Sequence, residues 1–385
     1  MGVTEALPGT VAEPSSADRT GGRKVRLRLR LTAALLGLVI GLLLAELAIR
    51  LIAPQYPSWL DIFAKTDSPP FGLVANVHRT ISTGETNWTV DTDAEGFRRP
   101  AHSAAPSDAP LILVLGDSYA FGMGVNYDQT FSGLIEQRLG GKFRVLDTGV
   151  PAYGPTQYRQ VLERELARGV NPRAVVVATY TGNDFHDCIW DKEHTPVRAG
   201  ILGNDASMRG FLKVHFHLYR LVSRAYHVSH DRELRDQPHQ AELYRPAEWE
   251  NGKLKGALEI YQQEFARIHE LCRARQIPVL ACVIPTARAV EATENTQPSN
   301  QPMQASARLQ PASTDAQYDL PARQAEKAMA AAGIPCIDLT PALAQAGMKK
   351  SYFSWDQHLS PTGNRVAADA ILAGWAELKE KEPSK

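Results

Sequence analysis

The sequence predicts a three-layer α/β/α protein whose mainly parallel, five-stranded sheet is preceded by one membrane-spanning helix. Two observations lead to this prediction. After residue 110, short uninterrupted apolar runs alternate with amphipathic helical stretches, a pattern typical of parallel sheets covered on both faces. Near the N-terminus, a cluster of basic residues is followed directly by a long apolar run.

The N-terminal residues predict a flexible, basic tail on the cytoplasmic side of a membrane. Residues 1–22 are rich in Gly, Pro, Ser, Thr and Ala, a composition typical of disorder. The basic cluster follows, and we therefore expect residues 1–30 to form a disordered basic tail. Its members are Arg23, Lys24, Arg26, Arg28 and Arg30.

Residues 31–53 are predicted to be an uncleaved transmembrane helix, because about 20 apolar residues are enough to cross a bilayer. Glu46 and Arg50 interrupt the run four residues apart, and we expect them to pair or to extend toward one membrane interface. The positive-inside rule keeps the basic tail in the cytoplasm and places the rest of the chain outside it, as a single-pass protein.

Two other interpretations of this segment stay open. A cleaved signal peptide would have a shorter apolar core and an Ala-x-Ala-like site, which the sequence at the end of the run matches poorly. A buried helix of a soluble protein rarely carries five basic residues directly before it.

Residues 54–110 lack clear periodicity and are predicted to be a membrane-proximal spacer with a few edge elements. Residues 111–379 are predicted to form the main domain, in the flavodoxin-like arrangement. Insertions are expected at about 186–250 and 286–318, the second as a mobile loop. The predicted strands are 111–115, 143–147, 174–180, 278–284 and 336–339, and the predicted helices are 129–139, 157–168, 254–275, 319–332 and 362–379.

Composition excludes some classes of function. Lys plus Arg equals Asp plus Glu at 42 each, so nothing predicts a nucleic-acid partner. The four cysteines lack the spacing of a zinc site, and the sequence leaves open whether they are reduced or paired: Cys188, Cys272, Cys282 and Cys336.

A candidate nucleophile, Ser118, follows the first predicted strand in the turn Gly116-Asp117-Ser118. A serine between a buried strand and a helix can expose its hydroxyl to substrate while its N–H faces a developing oxyanion. The plainer interpretation is a turn with a helix cap, since Asp and Ser favour both. The position after an apolar strand favours the functional interpretation.

Turns after two other strands offer candidate oxyanion donors. The third strand ends in Gly182-Asn183-Asp184, where the Asn183 amide can donate to an oxyanion. The second strand is followed by a turn in which Gly154, or the backbone of Ala152, can supply another donor. Ligands of open α/β sheets bind beyond the carboxyl ends of the strands, where these turns meet.

His358 lies just before the last predicted helix and is the candidate base. Imidazole suits the activation of a serine hydroxyl. Asp356, two residues earlier, can hold the imidazole in the right tautomer. The alternative for His358 alone is an exposed loop histidine.

Taken together, these motifs resemble the SGNH (GDSL) hydrolase superfamily, whose blocks carry Ser, Gly, Asn and His in that order. The resemblance covers about residues 94–377, because Glu95-Gly96-Phe97-Arg98 is similar to a turn of membrane-anchored members. It implies Ser118, His358 and Asp356 as catalytic residues, and an oxyanion hole formed by Ser118, Gly154 and Asn183.

Two features depart from the family pattern. Either Gly154 or the backbone of Ala152 can take the place of the glycine donor of the second block, and Gly154 is preferred. Many members have the aspartate three residues before the histidine rather than two, which leaves Asp338, at the end of the fifth strand, as a second candidate for the orienting role.

The resemblance implies a serine esterase that acts on an extracytoplasmic acylated carbohydrate or lipid and needs no metal or organic cofactor. Alternatives are an O-acyltransferase that modifies an envelope polysaccharide, with partners in polysaccharide biosynthesis, and a non-catalytic glycan-binding domain. The intact Ser118, Asn183 and His358 argue against the last of these.

Overall fold

The computed structural model describes residues 16–56, 60–82, 85–100, 105–198, 200–203, 208–230, 240–296 and 317–381. The strands are β1 (Phe63–Lys65), β2 (Phe71–Leu73), β3 (His78–Ser82), β4 (Asn87–Asp91), β5 (Leu111–Gly116), β6 (Arg144–Asp147), β7 (Ala174–Tyr180), β8 (Val197–Arg198), β9 (Ile201–Leu202), β10 (Val279–Ile284) and β11 (Cys336–Asp338).

The helices cover both faces of the sheet and form the N-terminal segment and the insertions. They are α1 (Ser16–Ile52), α2 (Ser118–Phe121), α3 (Phe131–Arg138), α4 (Pro155–Ala167), α5 (Asp184–Asp187), α6 (Met208–His215), α7 (His217–His230), α8 (Gln240–Leu243), α9 (Pro246–Glu250), α10 (Lys253–Arg273), α11 (Ala287–Thr296), α12 (Leu320–Ala332), α13 (Thr340–Ala346), α14 (Met348–Ser351) and α15 (Pro361–Lys381).

Five parallel strands form the central sheet in the order β11-β10-β7-β5-β6. In chain order this is the 2-1-3-4-5 arrangement of flavodoxin-like folds, so the predicted fold class is confirmed. The strand order reverses at β5, and ligands of such folds bind beyond the carboxyl end of the sheet at this point. Ser118 follows β5 directly.

The strands are hydrophobic throughout because side chains on both faces are buried. Leu113 and Val177 point into the core shared with α4, α10 and α12. Val114 and Ala178, the neighbouring residues on the same strands, point into the core shared with α3, α13 and α15. This two-sided burial explains why the sheet could be predicted from uninterrupted apolar runs.

Helix α1 begins earlier than the sequence predicts. The predicted disordered tail of residues 1–30 is helical from Ser16 onward, and the residues before Ser16 lie outside the described part of the chain. The reason is that Arg, Lys and Leu are good helix formers, so the helix nucleated in the apolar run continues backward through the basic cluster.

The segment predicted as a spacer, residues 54–110, contains two antiparallel hairpins, β1–β2 and β3–β4. They pack into the main core, where Phe71 and Trp88 are fully buried. Strands of three to five residues give too short a pattern to predict from sequence. The segment is therefore part of the folded domain.

The two predicted insertions also contain regular structure. The first holds α6, α7, α8 and α9, and the small β8–β9 hairpin. In the second, α11 occupies Ala287–Thr296, while residues 297–316 of the predicted mobile loop lie outside the described part of the chain.

Candidate active site

The turn after β5 exposes the hydroxyl of Ser118. The Asp117 carboxylate caps α2 by accepting a hydrogen bond from the Tyr119 N–H at 2.8 Å. Gly116 is required for the tight turn, because a Cβ there would lie 2.5 Å from Cβ of Ala120 and 2.9 Å from the Ala178 carbonyl oxygen. Ser118 itself is half-buried and opens the helix.

His358 lies against this serine although 240 residues separate them in the chain. Its Nε2 atom is 2.8 Å from Ser118 Oγ. The Tyr119 ring packs beside the imidazole with ring centres 4.7 Å apart, and its hydroxyl donates to the Gln357 carbonyl at 2.8 Å. The residue after the nucleophile therefore supports the loop that carries the histidine.

Asp356 lies on the other side of the imidazole. Its Oδ2 atom is 3.1 Å from His358 Nδ1, close enough for an ion pair, although the angle is outside that of a hydrogen bond. Asp338, the second candidate for this role, instead accepts hydrogen bonds from the Thr340 N–H and hydroxyl at 2.9 and 2.6 Å. The geometry therefore favours Asp356.

The electrostatics of the pair suit a base with an orienting carboxylate. Burial lowers the pKa of His358, but the Asp356 carboxylate and, more weakly, that of Asp117 raise it, and the net pKa lies above the usual value. Burial raises the pKa of Asp356, but the His358 imidazole lowers it by more than burial raises it. The net pKa of Asp356 is therefore below the usual value. Each partner favours the charged form of the other.

Two of the predicted oxyanion donors adjoin the serine. The Ser118 N–H makes no hydrogen bond to any residue in the described ranges, as expected for a first-turn donor left free for a ligand. Asn183 follows β7, and its amide nitrogen lies 3.3 Å from Asp117 Oδ2. That contact keeps the amide next to the serine turn.

The third predicted donor, Gly154, is buried and already occupied. Its N–H donates to the Gln157 side chain at 3.2 Å, which caps the start of α4. Ala152 differs: it is half-buried, has a left-handed φ of 70°, and its N–H has no hydrogen-bond partner among the described residues. Between the two alternatives for the second strand, the geometry favours Ala152.

A buried carboxyl supports the Asn183 turn from beneath. Asp184 accepts hydrogen bonds from the Thr179 hydroxyl at 2.6 Å, the Tyr158 hydroxyl at 2.9 Å and the Tyr180 N–H at 3.1 Å. Burial raises its pKa well above the usual value. Asp184, the third residue of the Gly-Asn-Asp motif, thus holds the turn and has no direct contact with Ser118 or His358.

Sequence reasoning did not find Glu85, which lies between β3 and β4. Its carboxylate accepts hydrogen bonds from three successive N–H groups of the loop that leads to His358, those of Ser354, Trp355 and Asp356. No local sequence signal could connect residues about 270 positions apart. The contact forms because the tertiary fold packs the β3–β4 hairpin beside the site.

Among the described residues, no group of three or more His, Cys, Asp or Glu side chains is arranged to hold a metal ion.

A half-buried serine on a strand-to-helix turn, hydrogen-bonded to a histidine at the carboxyl edge of a parallel sheet, is the arrangement of an α/β serine hydrolase. Residues 114–366 match the model of the GDSL-like lipase/acylhydrolase family. The chain belongs to this family.

Solved structures give weaker similarities, and no curated protein matches. TesA is 16% identical, with 70% of this chain and 99% of that chain covered at a TM-score of 0.38. The lipase/acylhydrolase from Enterococcus faecalis is 14% identical, with 72% and 99% covered and a TM-score of 0.37. At such scores these likenesses carry no conclusion about substrate.

Proposed function

We propose that the protein is a membrane-anchored serine esterase that removes acyl groups from an extracytoplasmic carbohydrate or lipid. The observation that carries this proposal is the 2.8 Å contact between Ser118 Oγ and His358 Nε2. It joins a nucleophile and a base on two turns at the same edge of the sheet. Membership of the GDSL-like lipase/acylhydrolase family supports ester chemistry at this serine.

The proposed first step forms an acyl-enzyme. His358 takes the proton of Ser118 as Oγ attacks the ester carbonyl carbon, and the carbonyl oxygen becomes an oxyanion. We assign the N–H groups of Ser118 and Ala152 and the Asn183 amide as the donors that stabilise it. The C–O bond of the ester then breaks, and the imidazolium gives its proton to the departing alcohol.

The second step returns the enzyme to its starting state. His358 removes a proton from water, which attacks the acyl carbon, and Ser118 leaves with that proton as the acid is released. A sugar hydroxyl in place of water would give the transferase alternative by the same bond changes. Asp356 stabilises the imidazolium in both steps.

The membrane location is proposed from helix α1. Residues Arg26–Ile52 are long and apolar enough to cross a bilayer and are almost wholly exposed. Signal sequences can be equally long and apolar. However, two residues near the end of this helix, Glu46 and Arg50, are hydrogen-bonded to α6 and α7. This docking favours an anchor that stays attached, and the basic residues before the apolar run favour a domain outside the cytoplasm.

The direct test uses the full chain in detergent with a fluorophosphonate probe and short-chain aryl esters. We expect one labelled residue, Ser118, and ester hydrolysis that Ser118→Ala abolishes. Labelling of another serine, or unchanged hydrolysis by Ser118→Ala, would disprove the assignment. Acetylated glycans with and without a sugar acceptor then separate hydrolysis from transfer.

A further inference from the structure

The helical pair α6–α7 lies against the outer part of the proposed anchor. The Glu46 carboxylate accepts hydrogen bonds from the first two N–H groups of α7, those of His217 at 2.9 Å and Leu218 at 2.8 Å. Arg50 pairs with Glu46 at 2.6 Å and also donates to the His215 carbonyl. Glu46 is only 7% exposed. Its carboxylate, although it belongs to an apolar helix, caps the start of α7.

An apolar cavity of about 460 Å³ lies between the three helices. Apart from Glu46 at one end, it is lined by apolar and aromatic side chains, with almost no polar surface. The lining residues are Val39, Leu42, Leu43, Glu46, Leu212, Phe216, Leu218, Tyr219 and Val222.

The residues of α1 that line this cavity indicate its depth in a bilayer. Val39 and Leu43 belong to the exposed apolar stretch of α1. A bilayer that surrounds this stretch must also meet the side chains of α6 and α7 packed beside it. The exposed apolar residues of the pair agree with such contact, since Phe211, Val222 and Tyr226 are 52%, 59% and 58% exposed.

The charge of the pair suits a membrane surface. Residues 208–230 contain no Asp or Glu but four Lys or Arg residues, namely Arg209, Lys213, Arg220 and Arg224. Basic amphipathic helices lie in the interface of a bilayer, with apolar side chains among the acyl chains and basic ones near lipid phosphates.

We propose that α6–α7 is an interfacial hairpin embedded in the leaflet on the domain side, and that an acyl chain of a phospholipid occupies the cavity between it and α1. The proposal rests on the membrane anchoring proposed above. Glu46 fixes the hairpin to the anchor and so sets the height of the catalytic domain over the membrane.

Photo-crosslinking tests the proposal. The full chain is placed in vesicles of phosphatidylcholine and phosphatidylglycerol that contain a phosphatidylcholine with a diazirine in its acyl chain, and labelled peptides are mapped by mass spectrometry. We expect labels on α1 and also on residues 212–222. If α1 were labelled and α6–α7 were not, the hairpin proposal would be overturned. If neither were labelled, the proposal that α1 is a membrane anchor would be overturned.

Two variants test whether the labelling of α6–α7 depends on its apolar face and on Glu46. Val222→Asp puts a charge on the exposed apolar face, and Glu46→Gln removes the charge that caps α7; each should lower hairpin labelling several-fold while α1 stays labelled. Ile189→Asp, at another exposed apolar residue, is the matched control. Unchanged aryl-ester hydrolysis shows that each variant is folded, and unchanged hairpin labelling in both Val222→Asp and Glu46→Gln would overturn the proposal.

A second inference rests on a separate observation, the contacts of Glu85. Three successive backbone N–H groups converge on its carboxylate, at 2.6 Å from Ser354, 2.9 Å from Trp355 and 3.1 Å from Asp356. Such a concave set of N–H groups is a binding site for an anion. Here the anion is supplied by a hairpin that precedes the sheet.

The same loop is held elsewhere by only a few bonds. The Phe353 N–H donates to the His358 carbonyl at 2.9 Å, and the Gln357 carbonyl accepts from Tyr119. Gln357 has a left-handed φ of 59°, so the loop turns sharply just before the histidine. Its conformation therefore depends on groups outside it.

We infer that Glu85 is a positioning residue, which fixes the loop so that Asp356 and His358 meet Ser118. A displacement of about 1 Å at such a site can lower the rate about 10²-fold. We therefore expect Glu85→Ala to lower kcat by about that factor with little change in KM, and Glu85→Gln, which keeps one acceptor, to retain more activity.

The test compares kcat, KM and the rate of fluorophosphonate labelling for these variants in the full chain. Glu95→Gln is the matched control, because Glu95 belongs to the same N-terminal region but pairs with Arg168 at 2.7 Å on the surface. A purely structural role would lower the amount of folded protein while kcat per labelled site stays normal. That result, or equal kcat in Glu85→Ala and wild type, would overturn the inference.

Discussion

At the scale of single residues, catalysis in the proposed mechanism depends on groups that different turns bring to the neighbourhood of Ser118. Asn183 contributes an amide held 3.3 Å from the Asp117 carboxylate, and this contact fixes it before any substrate is bound. A donor fixed in advance stabilises the oxyanion without reorganising during the reaction. In the proposed mechanism, Asn183 therefore lowers the free energy of the transition state.

We predict that Asn183→Ala lowers kcat by about 10²- to 10³-fold, with a much smaller change in KM, because one oxyanion donor is lost. Steady-state hydrolysis of an aryl ester measures this. Asn126→Ala is the control, because the Asn126 side chain accepts hydrogen bonds from Thr89 and not from the turn that carries Ser118. A change confined to KM would mean that Asn183 binds the ground state rather than the oxyanion.

The pKa of His358 predicts how activity changes with pH. The base must be neutral to accept the serine proton, and its pKa is raised above 6.5 by Asp356 despite the opposing effect of burial. We expect kcat/KM to rise with pH through a midpoint above 6.5. In Asp356→Asn the carboxylate is gone and burial remains, so the midpoint should move to lower pH.

The same variant should lose roughly 10²- to 10⁴-fold in kcat, because the imidazolium is no longer stabilised. Asp338→Asn serves as the comparison, since its carboxyl bonds to Thr340 instead. If Asp338→Asn shifted the midpoint and Asp356→Asn did not, the orienting role would belong to Asp338.

Most residues of the proposed site could be named from sequence, whereas the residues that hold them in place could not. Ser118, Asn183 and His358 follow strands or precede a helix in short motifs that are visible locally. The sequence favours Gly154 over Ala152, because the two facts that favour Ala152, the Gln157 side chain bound to the Gly154 N–H and the positive φ of Ala152, appear only in the structure. Glu85 acts through backbone N–H groups about 270 residues away, where neither partner has a distinctive sequence.

At the scale of elements, the β3–β4 hairpin joins the N-terminal segment to the nucleophile turn. Arg98, just after it, is 1% exposed and donates to the carbonyls of Phe121, Gly122, Thr89 and Val125. Its guanidinium also lies 5.2 Å from the ring centre of Trp88. Burial lowers its pKa to about 10, so it still carries its charge at neutral pH.

We predict that Arg98→Met destabilises the fold by roughly 3–5 kcal/mol, because four carbonyls lose their donor in a buried site. Unfolding of the full chain in detergent, followed by loss of fluorophosphonate labelling, measures the change. Arg99→Met, at the exposed neighbouring position, should change stability by less than about 0.5 kcal/mol. Equal effects of both variants would contradict the proposed role of Arg98.

The elements differ in how far sequence could predict them. Strands β5, β7 and β10 are continuous apolar runs because both of their faces are buried, and their predicted ranges agree with the structure to within a residue. Hairpins β1–β2 and β3–β4 have strands of three to five residues whose burial depends on the main core. Tertiary packing, rather than local pattern, defines them.

At the scale of the whole molecule, the anchor, the interfacial hairpin and the catalytic domain form one connected unit in the proposed arrangement. In this proposal, the orientation across the membrane is set by the basic residues before the apolar run, among them Arg26, Arg28 and Arg30. Labelling an introduced cysteine can test it against a background of four free natural cysteines, of which Cys272 and Cys282 are buried and Cys188 and Cys336 are half-buried. Burial raises the pKa of the Cys272 and Cys336 thiols to about 12 and also raises the pKa values of Cys188 and Cys282 well above the usual value.

We predict that a membrane-impermeant maleimide on intact spheroplasts labels Ser107→Cys, which lies on the exposed surface before β5, and leaves Ser16→Cys at the start of α1 unlabelled. Permeabilised cells should show both labels. Replacing all five basic residues of the cluster, Arg23, Lys24, Arg26, Arg28 and Arg30, by Glu removes the signal that retains the N-terminus inside, so labelling of Ser16→Cys should then appear in spheroplasts. Labelling of Ser16→Cys but not of Ser107→Cys in the otherwise unaltered chain would reverse the orientation, place Ser118 in the cytoplasm and exclude an extracytoplasmic substrate.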